Sequence, residues 1–243
     1  MFILFGLTTK LGMMPFYHWF PSAANDISWV AVGLLLTLQK AAPLALLVAM
    51  IYPPYIASLH FLVGVNAAVG AWVGLNQSRI KVILAFSSIA HLSWMVAVGT
   101  VSFLFSAVYY FIYSASVLPL VGLLSMLGVD SLKTAHLVRR RRPAALFLFT
   151  MFLLNLRGIP PFVGFFAKAV ALKALLLCGH SVLALVLILS RAMTIGFYLT
   201  IAFVALLART HGPRSSRRPQ RVMLWVLALS FALGGLPLAF LFL

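Results

Sequence analysis

Three lysines, Lys10, Lys40 and Lys168, lie in stretches that are otherwise almost wholly apolar, and each has prolines close by: Pro15 after Lys10, Pro43 after Lys40, and Pro160 and Pro161 before Lys168. Removal from water disfavours an ammonium relative to the neutral amine, so a buried lysine can exchange protons near neutral pH, whereas arginine stays charged. Proline removes a backbone donor and clashes with the preceding helical turn. At membrane depth, non-helical backbone is tolerated where it is buried in protein or lines a water-filled cavity, and broken helices mark ion sites in transporters. Three lysines beside three distortions therefore predict a hydrated polar track able to relay protons. Ser87 and Ser88 precede His91 by four and three residues, which puts all three on one helical face that could carry water. His91 has two readings: a packed, hydrogen-bonded core histidine, or a relay group in that track.

The elements that must hold these groups are membrane spans. Of the 243 residues 64% are hydrophobic and only 8% charged, against about 25% charged in a soluble domain, and the mean hydropathy is +1.12. Apolar runs of the roughly 20 residues needed to cross the hydrocarbon follow one another with short polar breaks. Stretches such as Leu34 to Leu38 and Leu183 to Leu189 lack the alternation of a transmembrane barrel strand. The fold class expected is all-α, a polytopic bundle forming a single transmembrane domain over 1–243. Eight spans are predicted, at 2–21, 28–52, 55–75, 80–101, 103–127, 144–178, 180–208 and 222–243. The sixth should be broken, because Arg157-Gly158-Ile159-Pro160-Pro161 cannot continue a helix. No cleavable leader is expected, since Met1 has no basic region before it and Lys10 interrupts the apolar core such a leader needs.

Charge fixes an orientation. The chain carries 18 Lys+Arg against 2 Asp+Glu, a balance that in a soluble protein would point to nucleic acid; without a soluble basic domain, nucleic acid is set aside and basic membrane loops take its place. Arg79 and Lys81 follow the third span, Lys133 and Arg139 to Arg142 the fifth, and Arg209, Arg214, Arg217, Arg218 and Arg221 the seventh, which is 2 + 5 + 5 = 12. The second, fourth and sixth connections carry none, so the basic connections are expected on the matrix or cytoplasmic side. Cys178, the single cysteine, lies in apolar sequence with no metal-ligand cluster around it.

Subtracting 12 from 18 leaves Lys10, Lys40, Arg157, Lys168, Lys173 and Arg191 within spans. Each unpaired cation facing lipid would cost about 2.5–3.5 kcal/mol, or on the order of 15–20 kcal/mol together, so they are expected to face protein or water. Snorkelling to an interface is the alternative for Lys173 and Lys10. Arg157 is placed to bind carbonyls freed at the break, and Arg191 to contact a neighbouring subunit or fix packing. Asp26 lies in the first connection and Asp130 in the fifth. The internal cations thus have no internal carboxylate, and either the lysines rest neutral or another chain supplies the acid.

These residues carry a resemblance to a family. Lys10, Gly12, Pro15, Phe16, Trp19 and Pro21 are similar to K-x-G-x-x-P-F-H-x-W-x-P, and Leu36 to Lys40 with Pro43 follow. Ala85 to Met95 is similar to A-Y-S-S-I-A-H-x-G-W, and Gly158 to Lys168 to G-L-P-P-x-x-G-F-x-x-K. The chain resembles the antiporter-like membrane subunits typified by subunit 2 of mitochondrial NADH:ubiquinone oxidoreductase, respiratory complex I. The resemblance spans Lys10 to Lys168 and extends to the remaining helices. It implies that Lys10 faces an acidic partner, that Lys40 is the central relay lysine, and that Lys168 sits on a broken helix toward the exit. It further implies proton translocation driven by quinone reduction elsewhere in the complex, with flavin, iron–sulfur clusters and quinone held by other subunits and no cofactor here. The location implied is the mitochondrial inner membrane, with basic loops facing the matrix and contacts to lipid and other membrane-arm subunits.

Tyr17 stands where the family has histidine, with His18 one residue on, and Arg157 replaces a glycine. Helices that precede the lysine at 10 in the family, one bearing its glutamate partner, are absent from this sequence; a separate chain is expected to supply them. Two other functions stay in view: a structural membrane-arm subunit with an inactive path, and a cation/proton antiporter component.

Overall fold

The computed structural model describes residues 2–51, 56–134, 143–159 and 162–207. All regular elements there are helical, apart from one isolated antiparallel bridge between Arg79 and Ser131. In chain order they are α1 (Phe2–Leu11), α2 (Trp19–Asp26), α3 (Trp29–Leu36), α4 (Leu38–Ala49), α5 (Ile56–Leu75), α6 (Ile80–Gly99), α7 (Phe103–Leu127), a 3-10 turn (Leu132–Thr134), α8 (Pro143–Arg157), α9 (Val163–Leu177) and α10 (Ser181–Leu207). Five helical stretches among the described residues are long and apolar enough to cross a membrane: 29–49, 56–75, 80–99, 103–127 and 181–203. The molecule is a polytopic transmembrane helical bundle. The predicted eighth span, 222–243, lies outside the described residues.

The first predicted span, 2–21, is interrupted. α1 stops at Leu11 because Gly12 takes a left-handed conformation with φ 67°. Gly12 N–H then bonds Thr9 O at 3.1 Å and Met13 N–H bonds Thr8 O at 3.0 Å, the paired termination that glycine permits after a helix. A hydropathy reading sums apolar side chains and does not sense that backbone turn. The second predicted span bends at Thr37, whose φ and ψ are −116° and −84° and whose hydroxyl donates to Gly33 O at 2.7 Å. Pro43, expected to mark the distortion beside Lys40, lies inside α4. The predicted break in the sixth span separates α8 from α9; Pro160 and Pro161 themselves fall outside the described residues.

α6 is the axis of the bundle. From Ile83 to Gly99 every residue is buried, because α5, α7, α2 and α9 pack around it. Such a helix reads as apolar on all sides, and its polar residues necessarily meet protein rather than lipid. At its N-terminal end the connection before it meets the connection that follows α7: Ile80 N–H bonds Asp130 O, Leu132 N–H bonds Ser78 O, and Lys81 lies 3.6 Å from Asp130. At its C-terminal end Thr100 meets His60 of α5.

Candidate functional site

Lys40 and Lys168 are buried to 3% and 4% exposure, far below what a surface lysine shows, and His91 is buried between them. The bend at Thr37 turns Lys40 toward the axial helix, where its ammonium donates to Ser88 Oγ at 2.6 Å and lies 4.3 Å from the centre of the Phe20 ring. One turn along α6, His91 Nδ1 is 3.2 Å from the Tyr109 hydroxyl of α7, and the Tyr113 ring centre is 5.0 Å from the imidazole. Ser87, on the adjoining position, hydrogen-bonds the Tyr198 hydroxyl of α10. A small cavity of about 10 Å³ is lined by Ser87, His91, Trp94, Lys168, Arg191 and Tyr198, space for about one water molecule among groups able to bind it.

Lys168 owes its place to the break. α8 ends with Gly158 left-handed at φ 66°, with Gly158 N–H bonded to Asn155 O at 2.8 Å and Ile159 N–H to Leu154 O at 3.4 Å. The next two free carbonyls, Leu156 O and Arg157 O, accept from the Lys168 ammonium at 3.0 and 3.1 Å. Gly158 O accepts from Arg191. A cation at the C-terminus of a helix satisfies carbonyls without intrahelical partners and meets the negative end of the helix dipole. Asn155 joins the two half-helices: its Oδ1 accepts from Gly164 N–H at 3.0 Å, and its Nδ2 donates to Ser116 Oγ on α7 at 2.9 Å.

The role expected of Arg157 is corrected here, while Arg191, expected to contact a neighbouring subunit or fix packing, holds α10 against the end of α8. Lys168 and Arg191, rather than Arg157, take the freed carbonyls, because α9 and α10 bring them to the open end of α8. Arg157 is buried, and its Nε and Nη2 have no hydrogen-bond partner among the described residues; its guanidinium lies 5.9 Å from the Tyr198 ring centre.

The structure thus gathers Lys40, Ser87, Ser88, His91 and Lys168 around α6, and Gly158 lies at the Lys168 end. Lys10 is apart from them, exposed in the last turn of α1, and Pro15 is exposed in the turn after it. The two acids also stand apart: Asp26 is exposed, and Asp130 accepts from Trp29 Nε1 at 2.8 Å beside Lys81. No carboxylate among the described residues pairs with Lys40 or Lys168. Sequence reasoning missed Tyr109, Tyr113 and Tyr198, which surround the serine–histidine face, and Asn155. It also missed Asn66, fully buried on α5, which accepts from Met14 N–H and donates to Ile89 O and Ser93 Oγ, tying the first break to α6. An amide inside an apolar span was the available signal for Asn66 and Asn155, since hydrocarbon offers it no partner.

Residues 1–194 match the family described as NADH:quinone oxidoreductase/Mrp antiporter, TM. The chain belongs to this family. Within the NADH:quinone oxidoreductase/Mrp antiporter family, NADH-ubiquinone oxidoreductase chain 2 of Artemia franciscana is 37% identical over 205 residues, covering 84% of this chain and 66% of its own. The chain 2 protein of Mus musculus is 30% identical over 201 residues, covering 82% and 58%. A solved chain of respiratory complex I from Thermus thermophilus superposes with a TM-score of 0.75 at 25% identity, covering 94% of this chain and 52% of that one. A chain of the Mrp complex from Dietzia sp. DQ12-45-1b shares the fold at 20% identity and a TM-score of 0.75, covering 88% and 42%. Both solved chains are parts of larger complexes. The chain spans 57–66% of the length of the first curated relatives it matches.

Proposed function

We propose that this chain is a membrane-arm subunit of a respiratory NADH:quinone oxidoreductase and conducts protons from the Lys40 end of α6 to Lys168. The observation that carries the reading is the pair of buried lysines on either side of the Ser87–Ser88–His91 face, with hydroxyls of Tyr109 and Tyr198 between. A proton held at Lys40 Nζ passes to the Ser88 hydroxyl, whose own proton moves on. His91 then takes and releases a proton within the cavity it shares with Lys168, and water bridges the steps longer than a hydrogen bond. Lys168 holds the proton at the carbonyl end of α8. Neither lysine needs a carboxylate for this: Lys40 has a hydroxyl and an aromatic face, Lys168 two carbonyls.

The same reading assigns flavin, iron–sulfur clusters and quinone to other subunits and puts the chain in the mitochondrial inner membrane, basic connections toward the matrix. It gives the exposed Lys10 an acidic partner on a neighbouring helix. Proton translocation follows from quinone reduction elsewhere in the complex. A second reading, a structural subunit with an inactive path, is favoured by one observation: Lys10 is exposed with no acid beside it among the described residues.

The test is Lys40→Met and Lys168→Met in the assembled complex reconstituted in liposomes, with NADH oxidation by a water-soluble acceptor and quinone-coupled proton uptake measured together. The conducting reading expects the soluble-acceptor rate to hold while proton uptake falls, by about 10²-fold or more for loss of a positioned acid–base group. Unchanged uptake per NADH in both variants would establish the structural reading instead.

A further inference from the structure

Three helix ends meet at the face of the bundle opposite Arg79 and Lys81. His60 lies in the second turn of α5, Thr100 caps the C-terminus of α6, and His180 immediately precedes α10. The His60 ring nitrogen Nε2 is 3.1 Å from Thr100 Oγ1, and the two imidazoles pack edge to face with centres 4.4 Å apart. From this pair a cavity of about 590 Å³ runs between α5 and α10, lined by Phe61, Gly64, Ala68, Val182 and Val186 as well as the histidines. That volume falls in the range of about 300–1,000 Å³ typical of small-molecule sites. The groove follows α5 from residue 60 to 68, about 12 Å at the rise of an α-helix.

Its polarity is graded. The two histidines stand at the helix ends, where a 20-residue span leaves the hydrocarbon, and every wall residue deeper than they is apolar. Gly64 opens the wall: a Cβ there would reach no atom nearer than Val186 Cγ1 at 3.5 Å. Phe61 and Val182 flank the opening and are each 76% exposed, so the groove faces sideways, toward lipid, rather than along the bundle axis. Imidazole donates one hydrogen bond when neutral and two when protonated; Thr100 Oγ1 donates to Ala97 O at 2.7 Å and accepts from His60 Nε2, so His60 serves an anion through Nδ1 in its protonated form, while His180 has a donor in either form. The two acidic residues lie at the other end of the bundle, where Asp130 pairs with Lys81 and Asn25, next to Asp26, accepts from Arg79. An anionic group at the histidines therefore meets no carboxylate among the described residues.

We infer that the groove between α5 and α10 is a phospholipid site, with the phosphate held by His60 and His180 and one acyl chain lying over Gly64 and Ala68. The grading from a polar donor pair at the interface to an apolar channel at depth matches a phospholipid from headgroup to tail, and no step of the proton path enters it.

The experiment uses the intact complex in detergent, with phosphatidylglycerol titrated in mixed micelles and bound lipid counted by mass spectrometry of the intact assembly. Wild-type protein should retain phosphatidylglycerol and not diacylglycerol, which has the same tails without phosphate. Inorganic phosphate alone should not displace it. His60→Ala with His180→Ala should weaken retention roughly tenfold, as loss of hydrogen bonds to a charged group requires. Val186→Trp leaves both histidines and fills the tail channel, and it should abolish retention while NADH oxidation is unchanged. Retention within twofold of wild type in both variants, equal retention of diacylglycerol, or a protein segment seated in the groove of the assembled complex would each overturn the assignment.

Discussion

The contact between Lys40 and Ser88 can be measured as a coupling energy. Lys40 is buried, its ammonium donates to Ser88 Oγ at 2.6 Å, and its remaining neighbour of note is the Phe20 ring at 4.3 Å. Ser88→Ala deletes the acceptor and leaves the cation in place; Lys40→Met deletes the cation and with it the desolvation that the cation incurs. The first change should therefore be the more destabilising, because a buried charge stripped of its partner is worse than no charge. Hydrogen bonds to charged groups contribute about 1.5–3 kcal/mol, while interhelical hydrogen bonds in membranes average about 0.6 and reach about 1.7 kcal/mol. The overlap, about 1.5 kcal/mol, is the coupling expected for an ammonium; a value near 0.6 kcal/mol would correspond to a neutral amine. The assay is reversible unfolding of the full chain in mixed micelles for wild type, each single variant and the double variant. If the two single effects simply add, within about 0.5 kcal/mol, the bond contributes nothing and the reasoning that runs the track through Ser88 is refuted.

Gly164→Ala drives a Cβ into the backbone oxygen of Asn155, which cannot move aside, so the variant should lose about 1–3 kcal/mol and show a lower unfolding midpoint; an unchanged midpoint would mean the half-helices are not locked as described. Arg157→Met should be neutral or stabilising by about 1–4 kcal/mol, since Nε and Nη2 have no partner among the described residues and the carbonyl serving Lys168 belongs to the backbone; marked destabilisation in the same unfolding assay would reveal an acceptor. Asp130→Asn removes a 3.6 Å ion pair whose acid is 66% exposed, and the amide oxygen can still accept from Trp29, so the stability change should stay below about 1 kcal/mol by the same measurement. Tyr198→Phe removes the hydroxyl partner of Ser87 and should slow proton uptake by the reconstituted complex without altering its NADH oxidation by a soluble acceptor; equal proton uptake would take Tyr198 out of the track.

The burial of Lys40 and Lys168 was legible because lysine in an apolar run is costly wherever it faces lipid, an argument that needs no coordinates, whereas Lys10 is exposed. The break before Lys168 was legible for a similar reason, as two successive prolines after Gly158 leave a helix few options. The division of α1 from α2 was legible only in part: Pro15 signalled a distortion after Lys10, but the turn itself rests on the positive φ of Gly12. Proline was also a poor guide beside Lys40, where Thr37 makes the bend and Pro43 sits within the helix. Tyr109, Tyr113 and Tyr198 were hidden because a tyrosine in a span looks like one more interfacial aromatic until another helix brings a serine or histidine to its hydroxyl. Such partners lie 111 residues apart in the case of Ser87 and Tyr198, a distance over which helical periodicity carries no information.

The acceptors of Lys168 are two peptide carbonyls, Leu156 O and Arg157 O, and every amino acid supplies that oxygen. Drift at 156 and 157 can exchange the side chains without removing the acceptors, so this end of the track is buffered against mutation in a way that the Ser88 end is not. Selection should instead register at Gly158 and Gly164, which set the angle at which the carbonyls are presented. Relatives that have diverged around the break should then keep its small residues more faithfully than its charged ones.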